Sequence, residues 1–125
     1  VHAAPLTPAG HLDMKDWKKS VEINVTATGR LIAFVTPLLT DDSTVLFFDD
    51  PRAGEKFFAS YGATKAAQIA LARSWAAETA RHGPRIVIDR PAEMGTGTRA
   101  RFFPGQDRAT LAKPAEEAAR IIAAL

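Results

Sequence analysis

Residues 61–88 read "YGATKAAQIALARSWAAETARHGPRIVI", and this stretch sets the architecture. An alanine-rich run with helix-forming residues throughout predicts a helix from about Ser60 to Arg81. His82, Gly83 and Pro84 form a stop signal behind it. "RIVID" at 85–89 follows as a short apolar strand. A long helix leading straight into a short apolar strand is one half of a parallel crossover unit.

Working toward the N-terminus, "TVLFF" at 44–48 is a second short run rich in β-formers, as expected of a strand covered on both faces. Before it, Trp17, Val21, Val25, Thr28, Ile32 and Val35 recur at threes and fours. They predict one helix from Met14 to about Leu39, capped by Asp13 and ending near Pro37. Residues 1–12 read as a loop. Toward the C-terminus, residues 90–110 read as a long loop with three glycines and two prolines. Pro114 opens a last helix with an apolar stripe of Ala118, Ile121, Ile122 and Leu125. The order helix, strand, helix, strand, helix predicts an α/β fold with a parallel sheet between helical layers. Two or three strands make a thin sheet, so residues 1–125 are expected to be a single partial unit, the second half of a doubly wound Rossmann-like domain.

Composition excludes several functions. The chain of 125 residues has no cysteine, which removes disulfides, thiolate metal sites and cysteine nucleophiles. Its three histidines, His2, His11 and His82, fall in no metal-binding pattern. The net charge is +2 with the basic residues scattered, and a pI of about 9.2 is the sole pointer to nucleic-acid binding, so no nucleic-acid partner is expected. No apolar run approaches a bilayer span, and the N-terminus lacks a signal-peptide pattern. A cytoplasmic protein is expected.

Tyr61 and Lys65 lie four apart, hence on one helix face. An ammonium beside a phenol favours the phenolate and lowers the phenol pKa from about 10. So tuned, Tyr61 would exchange protons nearer neutral pH. Following a strand and loop, the pair is expected at the carboxyl edge of the sheet, where open α/β folds bind ligands.

With "WKKSVEINVTATGRLIAFVTPLL", "TVLFF", "YGATKAAQIALARSWAAETARHGPRIVI" and "RPAEMGTGTRARFFPG" in this order, the chain resembles the short-chain dehydrogenase/reductase family over essentially its whole length. The likeness covers about the second half of a family member. It implies NAD or NADP as cofactor and hydride transfer on a small carbonyl or alcohol substrate. By resemblance Tyr61 is the general acid/base. Lys65 tunes it and binds the nicotinamide ribose. Asn24 distorts its helix and holds a water in a proton relay. Pro91, Met94 and Thr96 fall where the family contacts the nicotinamide amide and phosphate. The resemblance also implies a homodimer or homotetramer through the 14–39 and 60–81 helices. The tail from Arg99 to Leu125 looks like one bacterial subgroup.

The chain departs from that pattern. The family serine belongs about a dozen residues before the tyrosine, where this sequence has Phe48, Asp49 and Asp50. A phenyl ring cannot donate to a developing oxyanion, and an ionised carboxylate repels one. Asp49 and Asp50 either accept a proton or hydrogen bond from an unusual substrate or merely begin an exposed loop before Pro51, the expectation favoured for Asp50. Ala92 replaces a glycine, "HAAP" stands where an asparagine-containing turn is usual, and no glycine-rich phosphate turn is present. The dinucleotide-binding half is therefore expected to lie before Val1. Phe57, Phe58, Phe102 and Phe103 flank the expected cleft, either lining it or anchoring its loops. Phe48 and Asp49 are candidate pocket residues. Arg99 and Arg101 either meet an anion or stay solvated. The competing reading is a catalytically impaired family member that serves as a cofactor-binding or oligomerisation module.

Overall fold

A computed structural model describes all residues 1–125. Both expected strands form where they were read: β1 is Thr44–Phe48 and β2 is Arg85–Asp89. They pair in parallel, Thr44 against Arg85 through Phe48 against Asp89. The sheet has these two strands only. The expectation of strands covered on both faces is not met, because no strand residue is fully buried.

The predicted Met14–Leu39 helix is interrupted. α1 spans Met14–Val21, a π-helical turn covers Glu22–Thr26, and α2 runs Ala27–Val35 into a 3-10 turn at Thr36–Leu38. Asp13 caps it, its Oδ1 accepting from the Lys15 and Asp16 amides at 2.9 Å each. The buried positions on this rod are the small and polar Ser20, Asn24 and Thr28 rather than its aliphatic residues.

α3 spans Ala59–Glu78 and carries the long stripe Tyr61, Thr64, Lys65, Ile69, Ala72 and Trp75 on its buried face. Trp75 meets Phe47 of β1 edge to face. The stop behind α3 is physical: Gly83 sits at φ +117°, and its amide donates to Asp41 Oδ1 at 2.7 Å. The two rods meet along a polar seam. Asn24 Nδ2 donates to Thr64 Oγ1 at 3.0 Å, and Gln68 Nε2 donates to Thr28 Oγ1 at 2.9 Å.

The expected loop over 90–110 contains structure. α4 spans Gly97–Phe102, capped by Thr96 Oγ1, and a 3-10 turn follows at Arg108–Thr110. The N-terminal segment holds a 3-10 turn at Ala9–His11 and a parallel bridge from Thr7 to Phe58. α5 spans Pro114–Ala123, but its predicted stripe is only partly buried. Ile121 faces inward with Glu117, whereas Ile122 is 68% exposed. No helix is long and apolar enough to cross a membrane.

Candidate functional site

The carboxyl ends of β1 and β2, the N-terminus of α3, α4 and α5 enclose a cleft of about 470 Å³. Tyr61, Lys65, Phe48, Asp49, Pro91, Met94, Thr96, Phe102 and Phe103 all line it. Asn24 does not line it; Gln68 links its carbonyl to Lys65.

Tyr61 reaches the cleft from the first turn of α3 and is only 4% exposed. Its ring packs on Phe102 at 4.8 Å between centroids, and Phe58 lies behind both. Its hydroxyl donates to Asp50 Oδ2 at 2.8 Å. Here the structure overturns two expectations. Asp50 does not merely begin an exposed loop; it holds the phenol. The phenol pKa is raised above its ordinary value, not lowered. Burial is the main cause, and the hydrogen bond and negative charge of Asp50 add to it, against a smaller opposing pull from Arg52.

Lys65 points elsewhere. Its Nζ donates to the Phe48 carbonyl and to Gln68 Oε1, both at 2.6 Å. Burial lowers its pKa, partly opposed by the charges of Asp50 and Asp49. Two of its three donors are thus engaged and one is left for a ligand.

The π turn places the distortion at Asn24, as the resemblance implies. The asparagine side chain does structural work: Oδ1 accepts from the His2 amide at 2.7 Å, and Nδ2 donates to the His2 carbonyl at 2.9 Å. Between the Asn24 carbonyl and Lys65 stands Gln68, whose Nε2 approaches that carbonyl at 3.4 Å. A side-chain amide therefore occupies the route assigned to a relay water. Gln68 was legible in principle, because it lies three residues beyond Lys65 on the same helix face.

Asp50 is held by its own loop. Arg52 Nε stands 3.3 Å from Asp50 Oδ1, while its other nitrogens pair with Glu55 and Glu93. Burial alone would depress this guanidinium, but the three carboxylates more than compensate and raise its pKa. Its plane lies over the rings of Phe58 and Phe103. Gly62 lets the loop approach: a Cβ there would stand 2.5 Å from the Arg52 carbonyl oxygen. Phe57, nearby, adopts φ +71°, a strained conformation for an aromatic residue.

The four phenylalanines divide. Phe58 and Phe102 are buried anchors, Phe102 also forming cleft wall, while Phe103 is stacked by Arg99 at 4.0 Å and Phe57 faces solvent. Arg99 pairs with Glu93 and Gln106, and Arg101 donates to the Ala3 carbonyl, so both arginines have internal partners. Asp49 pairs with Arg90. At the far wall Glu117 accepts from the Ala92 amide at 2.8 Å and from Arg120, which also holds Asp89. The Arg120 bonds first, then the Ala92 amide, keep the Glu117 carboxyl below its ordinary pKa.

The chain matches the short chain dehydrogenase family over residues 2–107. No curated protein gives a significant match. Among solved structures, a short chain dehydrogenase from Salmonella enterica serovar Typhi CT18 aligns with TM-score 0.86 at 26% identity. Short chain dehydrogenases from Escherichia coli CFT073, complexed with NADPH, and from Shigella flexneri 2a strain 301, complexed with NADP, both align with TM-score 0.82, at 27% and 28% identity. Each alignment covers 92% of this chain and 49% of the other, so the chain spans about half the length of the structures it matches.

Proposed function

Because the chain belongs to the short-chain dehydrogenase family, we propose that it forms the catalytic half of an NAD(P)-dependent oxidoreductase. One observation carries the reading: the Tyr61 hydroxyl side, Lys65 and the 91–96 segment open on a single cleft at the carboxyl edge of a parallel sheet. The residues fit a nicotinamide ribose there, since Lys65 keeps one N–H uncommitted beside Tyr61. Pro91, Met94 and Thr96 form the wall against which the amide and phosphate would rest. The bound cofactor would supply or take the hydride. Tyr61 is assigned the proton at the substrate's polar atom, Lys65 holds and orients the ribose, and Gln68 fixes Lys65. The two cofactor complexes among the solved structures support NADP as a partner.

Titrating the whole protein with NADH and NADPH and following nicotinamide fluorescence tests this. Saturable enhancement with at least one is expected; no response with either refutes the proposal. A second reading has its own support. Phe48 replaces the oxyanion donor, and Asp50 binds the phenol, so the protein would retain cofactor but turn over carbonyls poorly. Loss of one oxyanion donor costs about 100- to 1000-fold in rate. If that loss is the sole defect, Phe48→Ser raises carbonyl reduction; an unchanged rate rejects it.

The partner proposal is a symmetric dimer or tetramer through the long helices. Leu31, Phe34 and Leu38 support it: they stand on α2 and the turn after it, each more than 60% exposed. A cytoplasmic location is also proposed; the observation beside it is that no helix is long and apolar enough to cross a membrane.

A further inference from the structure

Carbonyl reduction by a phenol needs a hydroxyl hydrogen aimed at the substrate oxygen and a second donor to share the developing negative charge. The Tyr61 hydroxyl hydrogen is not so aimed, and the uncommitted donor near it, one Lys65 N–H, is assigned above to the cofactor ribose. A phenol has a single O–H, and that of Tyr61 is committed to Asp50 Oδ2 at 2.8 Å. What Tyr61 turns to a ligand is a lone pair. A carboxylate has only acceptors. The third nearby wall is Phe48, whose ring donates nothing and whose carbonyl is taken by Lys65.

We infer that the reacting group of the substrate is a cationic hydrogen-bond donor, a protonated imine or the amine it becomes, and that Asp50 selects it. The inference rests on the oxidoreductase reading above and narrows it.

The charges around Asp50 support this. Arg52 touches Oδ1, but that guanidinium is shared with Glu55 and with Glu93, which Arg99 also holds. Lys65 is turned toward Phe48 and Gln68, and Arg90 pairs with Asp49. Asp50 Oδ2, the oxygen that meets the Tyr61 hydroxyl, thus has no cation in direct contact. A forming oxyanion there is repelled, and a C=N⁺ group is attracted.

The chemistry also suits a phenol of suppressed acidity. In iminium reduction the hydride adds to the carbon of C=N⁺, forming a C–H bond. The π electron pair moves onto nitrogen as its lone pair, and reduced nicotinamide, the reductant, is oxidised in the same step. No proton is consumed, so Tyr61 need not release one. Carbonyl reduction would require that release.

The test uses the whole protein with NADPH and two substrates of the same outline, 3,4-dihydroisoquinoline, assayed where its nitrogen is protonated, and 1-tetralone. Absorbance at the nicotinamide band is expected to show kcat/KM for the cation at least about tenfold above that for the ketone, the scale of one close charge pair in a partly screened site. Asp50→Asn is expected to erase the preference, and Asp50→Ser to reverse it. An independent readout is calorimetric binding of 1,2,3,4-tetrahydroisoquinolinium, a cation with two N–H donors that cannot be reduced further, which should weaken about tenfold in Asp50→Asn. If NADPH binds but the cation is not preferred, or the preference survives Asp50→Asn, the inference falls and the oxidoreductase reading stands. If NADPH does not bind, both fall.

Discussion

Replacing Asp50 by asparagine should make Tyr61 a stronger acid. The wild-type phenol is held protonated by burial, by a 2.8 Å bond to Asp50 and by that residue's charge. The substituted amide would still fill the space, and burial would persist, so the change isolates the charge-assisted bond. Hydrogen bonds to charged groups contribute about 1.5–3 kcal/mol. The Asp50 side chain is 32% exposed, so solvent screening favours the low end of that range. Since 1.36 kcal/mol is a tenfold change in an ionisation constant, the expected gain in acidity is about tenfold. Tyr61 is the sole tyrosine of these 125 residues. Phenolate absorbance near 295 nm, taken as the difference between each protein and its Tyr61→Phe counterpart, therefore follows this one group. A titration curve that does not move toward lower pH in Asp50→Asn would show that burial alone sets the phenol, and would remove the basis for any role of Asp50.

The same raised pKa makes a prediction about alkaline stability. A group that binds its proton more tightly when folded contributes fully below its unfolded pKa of about 10, and that contribution is lost as pH rises beyond it. Urea unfolding should therefore show wild type losing more stability than Tyr61→Phe between pH 9 and 11; parallel losses would refute this. On the acid side Glu117 has the opposite sign, its lowered pKa giving stability present above about 4.5 and lost as pH falls, and Glu117→Gln should flatten that limb of the curve. Gly62→Ala should push the 50–53 loop off α3, because the new Cβ meets main-chain atoms that cannot rotate away. A cost of about 1–3 kcal/mol is expected, together with the gain in Tyr61 acidity seen in Asp50→Asn. Asn24→Ala strips the partners of the His2 amide and carbonyl, at about 1–3 kcal/mol for each group left buried and unpaired, read as a lower urea midpoint. Phe34→Glu should shift sedimentation to a smaller species if the α2 face joins subunits; an unchanged coefficient refutes that interface.

Both strands were legible to the residue, since "TVLFF" and "RIVID" are bounded by Asp-Asp-Ser and His-Gly-Pro, which no strand continues through. The convergence of Tyr61, Lys65, Pro91 and Thr96 was legible too, because a parallel crossover brings each strand's carboxyl end to the same edge. The π turn at Glu22–Thr26 leaves no mark in hydrophobic spacing; one inserted residue shifts a helical stripe too little to see. α4 was hidden by its glycines and by arginines that signal nothing about a helix, although Thr96 before Gly97 is a cap of ordinary type. Asp50 was misread for a deeper reason. Its partner is eleven residues away, across a loop whose path depends on Gly62 having no side chain and on Arg52 gathering three carboxylates.

That loop decides the chemistry of the pair. A lysine one turn along a helix can act on a phenol only if its ammonium swings toward the hydroxyl, and Lys65 is drawn the other way by two short bonds, to the Phe48 carbonyl and Gln68. Each replaces water with a fixed acceptor, and Gln68 is itself pinned by Thr28. The phenol is left to burial and to the nearest ion, which is a carboxylate in direct contact. Spacing along α3 therefore settles which groups share the cleft, while the loop before it settles the sign of the field they feel. Tyr61 and Lys65 share the cleft, and on the reading proposed above Asp50 changes what a ligand between them must carry.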